Sequence, residues 1–126
     1  MKKLLFAVLI GTLLVAGCTQ SGGNPPVTAG NDSVPVGSDH AVKIAGFAFD
    51  PKEITIKKGD TITWMNDDAA PHDVASDPHP THTDLPGLRS GTLQSGQSYT
   101  FQFVKVGTWG YHCHLHPTMK GTVIVE

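Results

Sequence analysis

Cysteine is nearly missing from this chain, which carries two in 126 residues, Cys18 and Cys113. A disulfide framework is therefore a poor source of stability, and the second cysteine needs another explanation. Basic excess is missing too: 9 Lys and Arg stand against 11 Asp and Glu. That balance offers no patch for phosphate backbones, and with no arginine run or recognition-helix pattern it argues against nucleic acid as a partner. No window sustains an apolar repeat of helical period, which argues against a bundle. Long apolar runs are confined to the first residues, and the length leaves room for one domain.

That first run, MKKLLFAVLIGTLLVAGC, has Lys2 and Lys3, a short apolar stretch, then Ala16 and Gly17 before Cys18. It has the layout of a secretory signal and is too short and too soon interrupted for a membrane span. Residues 1–17 are expected to be removed. Val15-Ala16-Gly17-Cys18 resembles a bacterial lipobox, in which Cys18 would receive lipid and anchor an exported chain to the membrane, facing the periplasm or the cell exterior. Cys113 would then be the sole free thiol of an exported, mildly acidic protein. The remainder of 18–38 is Gly, Pro, Ser and Asn with few large apolar groups, and cannot bury enough surface to offset its ordering. It reads as a flexible tether to a head over 39–126.

The head shows short alternating apolar runs separated by Gly, Asp and Pro. Val42, Ile44, Phe47 and Phe49 suggest a first strand with an irregularity at Gly46. Ile54 and Ile56 suggest a second, and Lys57 to Asp60 a turn into Thr61 to Trp64. Tyr99, Phe101 and Phe103 alternate with polar residues. Val106 to Cys113 and Thr122 to Val125 close the pattern. The class is all-β, a β-sandwich whose strands turn alternate residues inward. Between Asn66 and Gly91 only Asp73 to Ala75 looks strand-like, because DPHPTHTDLPGL is too rich in Pro and polar groups for a central strand.

Chemistry concentrates near the end, in YHCHLHPTMK. Cys113, His116 and Met119 are spaced three and three. Pro117 and the strand pattern before it argue for a loop turning between two strands rather than a helix. Such a loop can gather a thiolate, an imidazole and a thioether around one point. Thiolate and thioether favour copper(I), imidazole accepts either copper state, and two His with one Cys and a distant Met form an electron-transfer set. One histidine must come from elsewhere, and His72 in NDDAAPHDVAS is the candidate.

TITWMNDDAAPHDV followed by GTWGYHCHLHPTMKGTVIVE resembles the small blue copper proteins, the cupredoxins, most of all the amicyanin and plastocyanin types. The resemblance covers most of Ala41 to Glu126. It rests on ligand types, the Cys-x-x-His-x-x-Met spacing, the aromatic Tyr111 and the closing Gly-x-Val-Ile-Val strand. It implies a single Greek-key sandwich binding one type 1 copper, with His72, Cys113 and His116 as strong ligands and Met119 as the weak axial one. It also implies that His116 lies at the surface among Pro71, Leu115 and Pro117, where electrons enter and leave. The chain is then an electron carrier outside the cytoplasm rather than an enzyme, a monomer serving redox partner proteins. The alternative is a copper-binding or delivery protein of the cell envelope. The lone cysteine of the ligand loop excludes a binuclear copper site that needs two.

Three features depart from that pattern. Asp73 replaces an Asn that commonly braces the ligand loops, and an ionised Asp only accepts hydrogen bonds. His114 and Leu115 stand between Cys113 and His116, adding a potential ligand. The stretch from Asp77 to Asp84 has no counterpart that can be assigned, and its His79 and His82 could bind a second Cu(II) or Zn(II), or form a surface turn. His112 and His114 flank Cys113 and should face the opposite side of the strand, solvent-facing or hydrogen-bonded. Trp64 and Trp109 read as core aromatics, and His40 as a polar residue at the edge of the head.

Overall fold

A computed structural model describes residues 37–126. The expected signal over 1–17, Cys18 and nearly all of the expected tether lie outside the described residues. Eight strands follow in order: β1 (Asp39–Ala45), β2 (Ala48–Asp50), β3 (Glu53–Ile56), β4 (Thr61–Asn66), β5 (Ala75–Ser76), β6 (Ser98–Gln102), β7 (Gly107–Cys113) and β8 (His116–Val125). They form two four-stranded sheets, ordered β2-β1-β4-β6 and β3-β8-β7-β5. β1 runs parallel to β4 and β3 parallel to β8, while the hairpin partners β1–β2 and β7–β8 are antiparallel. The other connections pass between the sheets, giving the expected all-β sandwich with crossing connections.

Alternation drives the packing. Val42 and Ile44 of β1, Ile62 and Trp64 of β4, and Val123 and Val125 of β8 are buried while their neighbours are less so. Each such side chain contributes about 1.5–3 kcal/mol by leaving water. Trp64 sits at the centre, edge-on to Tyr111 at 5.4 Å and near Phe103 at 6.3 Å, while Phe49 meets Tyr111 at 4.8 Å. Trp109 is only partly buried against this core. The Tyr111 ring crosses β8 where Gly121 stands, and a Cβ there would collide with it. Burial pushes the Tyr111 phenol up to about 12.

Two expectations are corrected. The first apolar run is not one strand with an irregularity, because the chain reverses at Gly46 and Phe47 to make the β1–β2 hairpin. Both residues have positive φ, 59° and 58°, and pair Ala45 with Ala48 across a two-residue turn. The loop expected between the last two strands is also much shorter. Only His114 and Leu115 form the turn, and β8 already begins at His116. Pro117 is tolerated because the ladder is irregular there: His112 pairs with Lys120 but Cys113 with His116. Smaller shifts occur elsewhere: the strand expected over Asp73 to Ala75 is Ala75–Ser76, with an isolated bridge at His72.

Candidate metal centre

The β7–β8 turn, the segment after β4 and the β1–β2 hairpin meet near the buried Cys113. Asn66, at the end of β4, is fully buried and organises the segment that follows it. Its Nδ2 donates to the carbonyls of Ala70 and Leu93, each at 2.9 Å, and its Oδ1 accepts from Asp68 N at 3.0 Å. His72 is then pinned by backbone hydrogen bonds in both directions with Leu93, 3.1 and 2.7 Å.

The fully buried His72 ring is also oriented. Its Nε2 lies 2.9 Å from Asp68 Oδ2, so the proton belongs on Nε2 and the Nδ1 lone pair is free. That Nδ1 is 3.8 Å from Cys113 Sγ, and His116 Nδ1 lies 3.5 Å from the same sulfur. Ligand atoms of the three residues fall within 4.8 Å of one another. Bond lengths of about 2.0 Å to nitrogen and 2.3 Å to sulfur at a trigonal angle separate N from S by about 3.7 Å. The spacing thus fits a single ion. Met119, buried in the same core cluster as Cys113, is on β8 three residues beyond His116.

Asp73 resolves the question raised by its chemistry. Its backbone N–H donates to Cys113 Sγ at 3.4 Å, and its carboxylate accepts from His114 N. The acid braces the β7–β8 turn by accepting where an amide could also donate. Burial pushes the Cys113 thiol up, opposed chiefly by the N–H of Asp73, so metal binding releases a proton.

Sequence reasoning missed Asp68 and Phe47. Asp68 also accepts from Gly46 N at 2.7 Å and Phe47 N at 2.9 Å, tying the β1–β2 turn to the His72 ring. Its carboxyl is held below the usual range, first by the Phe47 N–H. Phe47 places its ring edge-on to His72 at 5.1 Å and to His116 at 5.0 Å while remaining 53% exposed. A left-handed conformation is uncommon for a bulky residue, and here it projects an aromatic ring over the two histidines. Exposed Pro71, Leu115 and Pro117 accompany a half-buried His116, as the resemblance implied.

Four of the five remaining histidines do not scatter. His79, His82, His112 and His114 gather into one group on the other side of Cys113. His112 is hydrogen-bonded, to Asp77, and is buried rather than solvent-facing. His40 pairs with Asp60 at 3.0 Å.

Comparison with known proteins agrees with this geometry. Residues 36–126 match the model of the copper binding proteins of the plastocyanin/azurin family. The chain is 35% identical to amicyanin-alpha of Methylorubrum extorquens, over 100% of both chains. It is 32% identical to plastocyanin of Scenedesmus fuscus, over 75% of this chain and 98% of that one. Among solved structures, a Cu(I) form of an amicyanin mutant superposes with a TM-score of 0.61 at 35% identity, covering 75% of this chain and 87% of that one. A purple cupredoxin from Nitrosopumilus maritimus gives 0.59 at 28% identity, covering 70% and 100%. A sandwich with this donor set, matched along most of its length, belongs to the plastocyanin/azurin family of copper binding proteins.

Proposed function

We propose that this protein is a one-electron carrier in which His72, Cys113 and His116 are the strong ligands of a single type 1 copper and Met119 is the weak axial ligand. The observation that carries the assignment is the convergence of two Nδ1 atoms on one buried sulfur, 3.8 and 3.5 Å away. Bound copper supplies the Cu(II)/Cu(I) couple. The chain holds the donors in a fixed arrangement: Asp68 sets the His72 ring, and Asp73 sets both the sulfur and the turn after it. Rigid donors keep rearrangement small between oxidation states, which favours fast transfer and leaves no need for an open substrate position. The half-buried His116, rimmed by Phe47, Pro71, Leu115 and Pro117, is the route to a redox partner protein docking on that apolar rim.

The reading extends to the cell envelope. Residues 1–17 act as a lipoprotein signal, Cys18 carries the lipid, and the tether to residue 38 lets a monomeric head over 39–126 reach its partners from the membrane surface. Composition and the Val15 to Cys18 motif support this part.

The copper assignment is tested by loading the protein with one equivalent of Cu(II) and recording its visible spectrum beside that of Cys113→Ser. An intense blue absorption that disappears in the variant is expected. Weak absorption insensitive to Cys113 overturns it. A second reading, copper delivery, is favoured by the additional histidine group beside the site. It predicts rapid loss of copper to a chelator, where an electron carrier retains it through repeated reduction and oxidation.

A further inference from the structure

The histidines on the far side of Cys113 are arranged as ligands. Nitrogens of His79, His112 and His114 lie within 4.8 Å of one another. His112 is buried, and its Nδ1 lies 2.7 Å from Asp77 Oδ1, so Nδ1–H donates to the carboxylate and Nε2 keeps its lone pair. That Nε2 is buried and has no hydrogen-bond partner among the described residues. An unpaired buried acceptor is costly and asks for a partner.

His114 is oriented by a relay. His82 is buried in a left-handed conformation, φ 54°, and its Nδ1 lies 2.9 Å from the Ser76 carbonyl, which can only accept. The proton therefore sits on His82 Nδ1, and Nε2 accepts from His114 Nδ1 at 3.1 Å. This leaves the lone pair of His114 on Nε2. Two imidazoles thus have their tautomers fixed by partners behind them, one by a carboxylate and one by a second histidine, as ligating histidines ordinarily have. His79 supplies the third ring, 4.8 Å from His114 and 5.3 Å from His112 between centroids. An open cleft of about 490 Å³ adjoins, lined by Asp77, His79, Asp84, His112 and Lys120 among others, so water can complete the coordination.

We propose that His79, His112 and His114 form a second metal site for an imidazole-preferring divalent cation, Cu(II) or Zn(II), with His82 and Asp77 as the groups that orient the ligands. Three imidazoles with no thiolate select these ions over Mg(II) and Ca(II), and the exposed side leaves a position open to solvent. Asp77 and Asp84 favour a cation there, while Lys120 opposes it.

The test titrates Zn(II) into the full chain already carrying one copper, with calorimetry reading the added ion and the visible spectrum reading the copper. One Zn(II) per chain is expected with the copper spectrum retained. His79→Ala should weaken that binding by about 100-fold, and His82→Asn, which tolerates the left-handed backbone, by about tenfold. Retained copper absorption and circular dichroism show that each variant is folded. No zinc binding, zinc binding with copper displaced, or affinity unchanged in His79→Ala overturns the second site. Affinity unchanged in His82→Asn overturns the relay through His82.

Discussion

Two groups of donors lie back to back around a single cysteine, and they differ in kind. On one side His72 and His116 close on the Cys113 sulfur with Met119 buried nearby; on the other, His79 and His114 close on His112 with imidazole alone. Both are fed by one stretch of five residues, His112 to His116, in which Cys113 and His116 serve one group and His112 and His114 the other. Strand alternation explains the division, because His112 must leave β7 on the face opposite Cys113. One short turn therefore supplies a soft, enclosed donor set inward and a harder, open set outward. The difference teaches that histidine count says little about metal choice. The neighbour that each ring shares, sulfur or nitrogen, decides it.

The largest effect that separates the two sides comes from Cys113→Ser. All of the blue absorption should vanish, yet Zn(II) binding measured by calorimetry at the His79 group should persist. Loss of both would mean that the two groups form one cooperative unit. A smaller effect is expected from Asp68→Ala, which removes the acceptor behind His72 and frees the Gly46 and Phe47 N–H groups. Copper affinity, measured by competition with a chelator, should fall about 10–100-fold, while zinc binding at the second group stays as it was. Asp68→Asn retains an oxygen that can accept from His72 and should recover part of the loss.

The four proposed copper donors could be named from the sequence because of their types and spacing: Cys113, His116 and Met119 are close in sequence, and His72 follows a recognisable strand. The Phe47 and Asp68 contributions were not. Phe47 reads as a core residue by alternation, and only the two-residue turn at Gly46 sends it outward over His72 and His116. Asp68 lies four residues before His72 in a segment without helical period, so nothing in the spacing pairs them. The second histidine group was half visible. Alternation put His112 and His114 on the opposite face, but His79 and His82 join them only because the loop from Asp77 to Asp84 folds back, with His82 N bonded to Pro78 O and Asp84 N to Asp77 O. Long loops are set by such particular contacts rather than by periodic pattern, which is why two separate possibilities in the sequence become one cluster in the fold.

A carboxylate at the other end of β4 sharpens the comparison from outside both sites. Asp60 precedes β4 and Asp68 follows it, and each accepts two backbone N–H groups and one histidine Nε2: Ser38, Lys57 and His40 for Asp60, Gly46, Phe47 and His72 for Asp68. The chemistry is the same, but only Asp68 stands behind a proposed copper donor. Asp60 is held down to about 2 from an ordinary 3.8, first by the Lys57 N–H, then by His40 and Ser38. A folded-state value below the unfolded one contributes stability that is fully present above the ordinary value and is lost as pH falls through the folded one. Acid between about pH 4 and pH 2 should therefore lower the melting temperature through Asp60, and Asp60→Asn should flatten that part of the profile. At neutral pH the same variant should leave both copper and zinc binding unchanged. A shift in either affinity would mean that the anchoring of β1 and β4 at Asp60 is felt at the far end of the sandwich. The likeness of the two aspartates would then be one of function as well as of bonding.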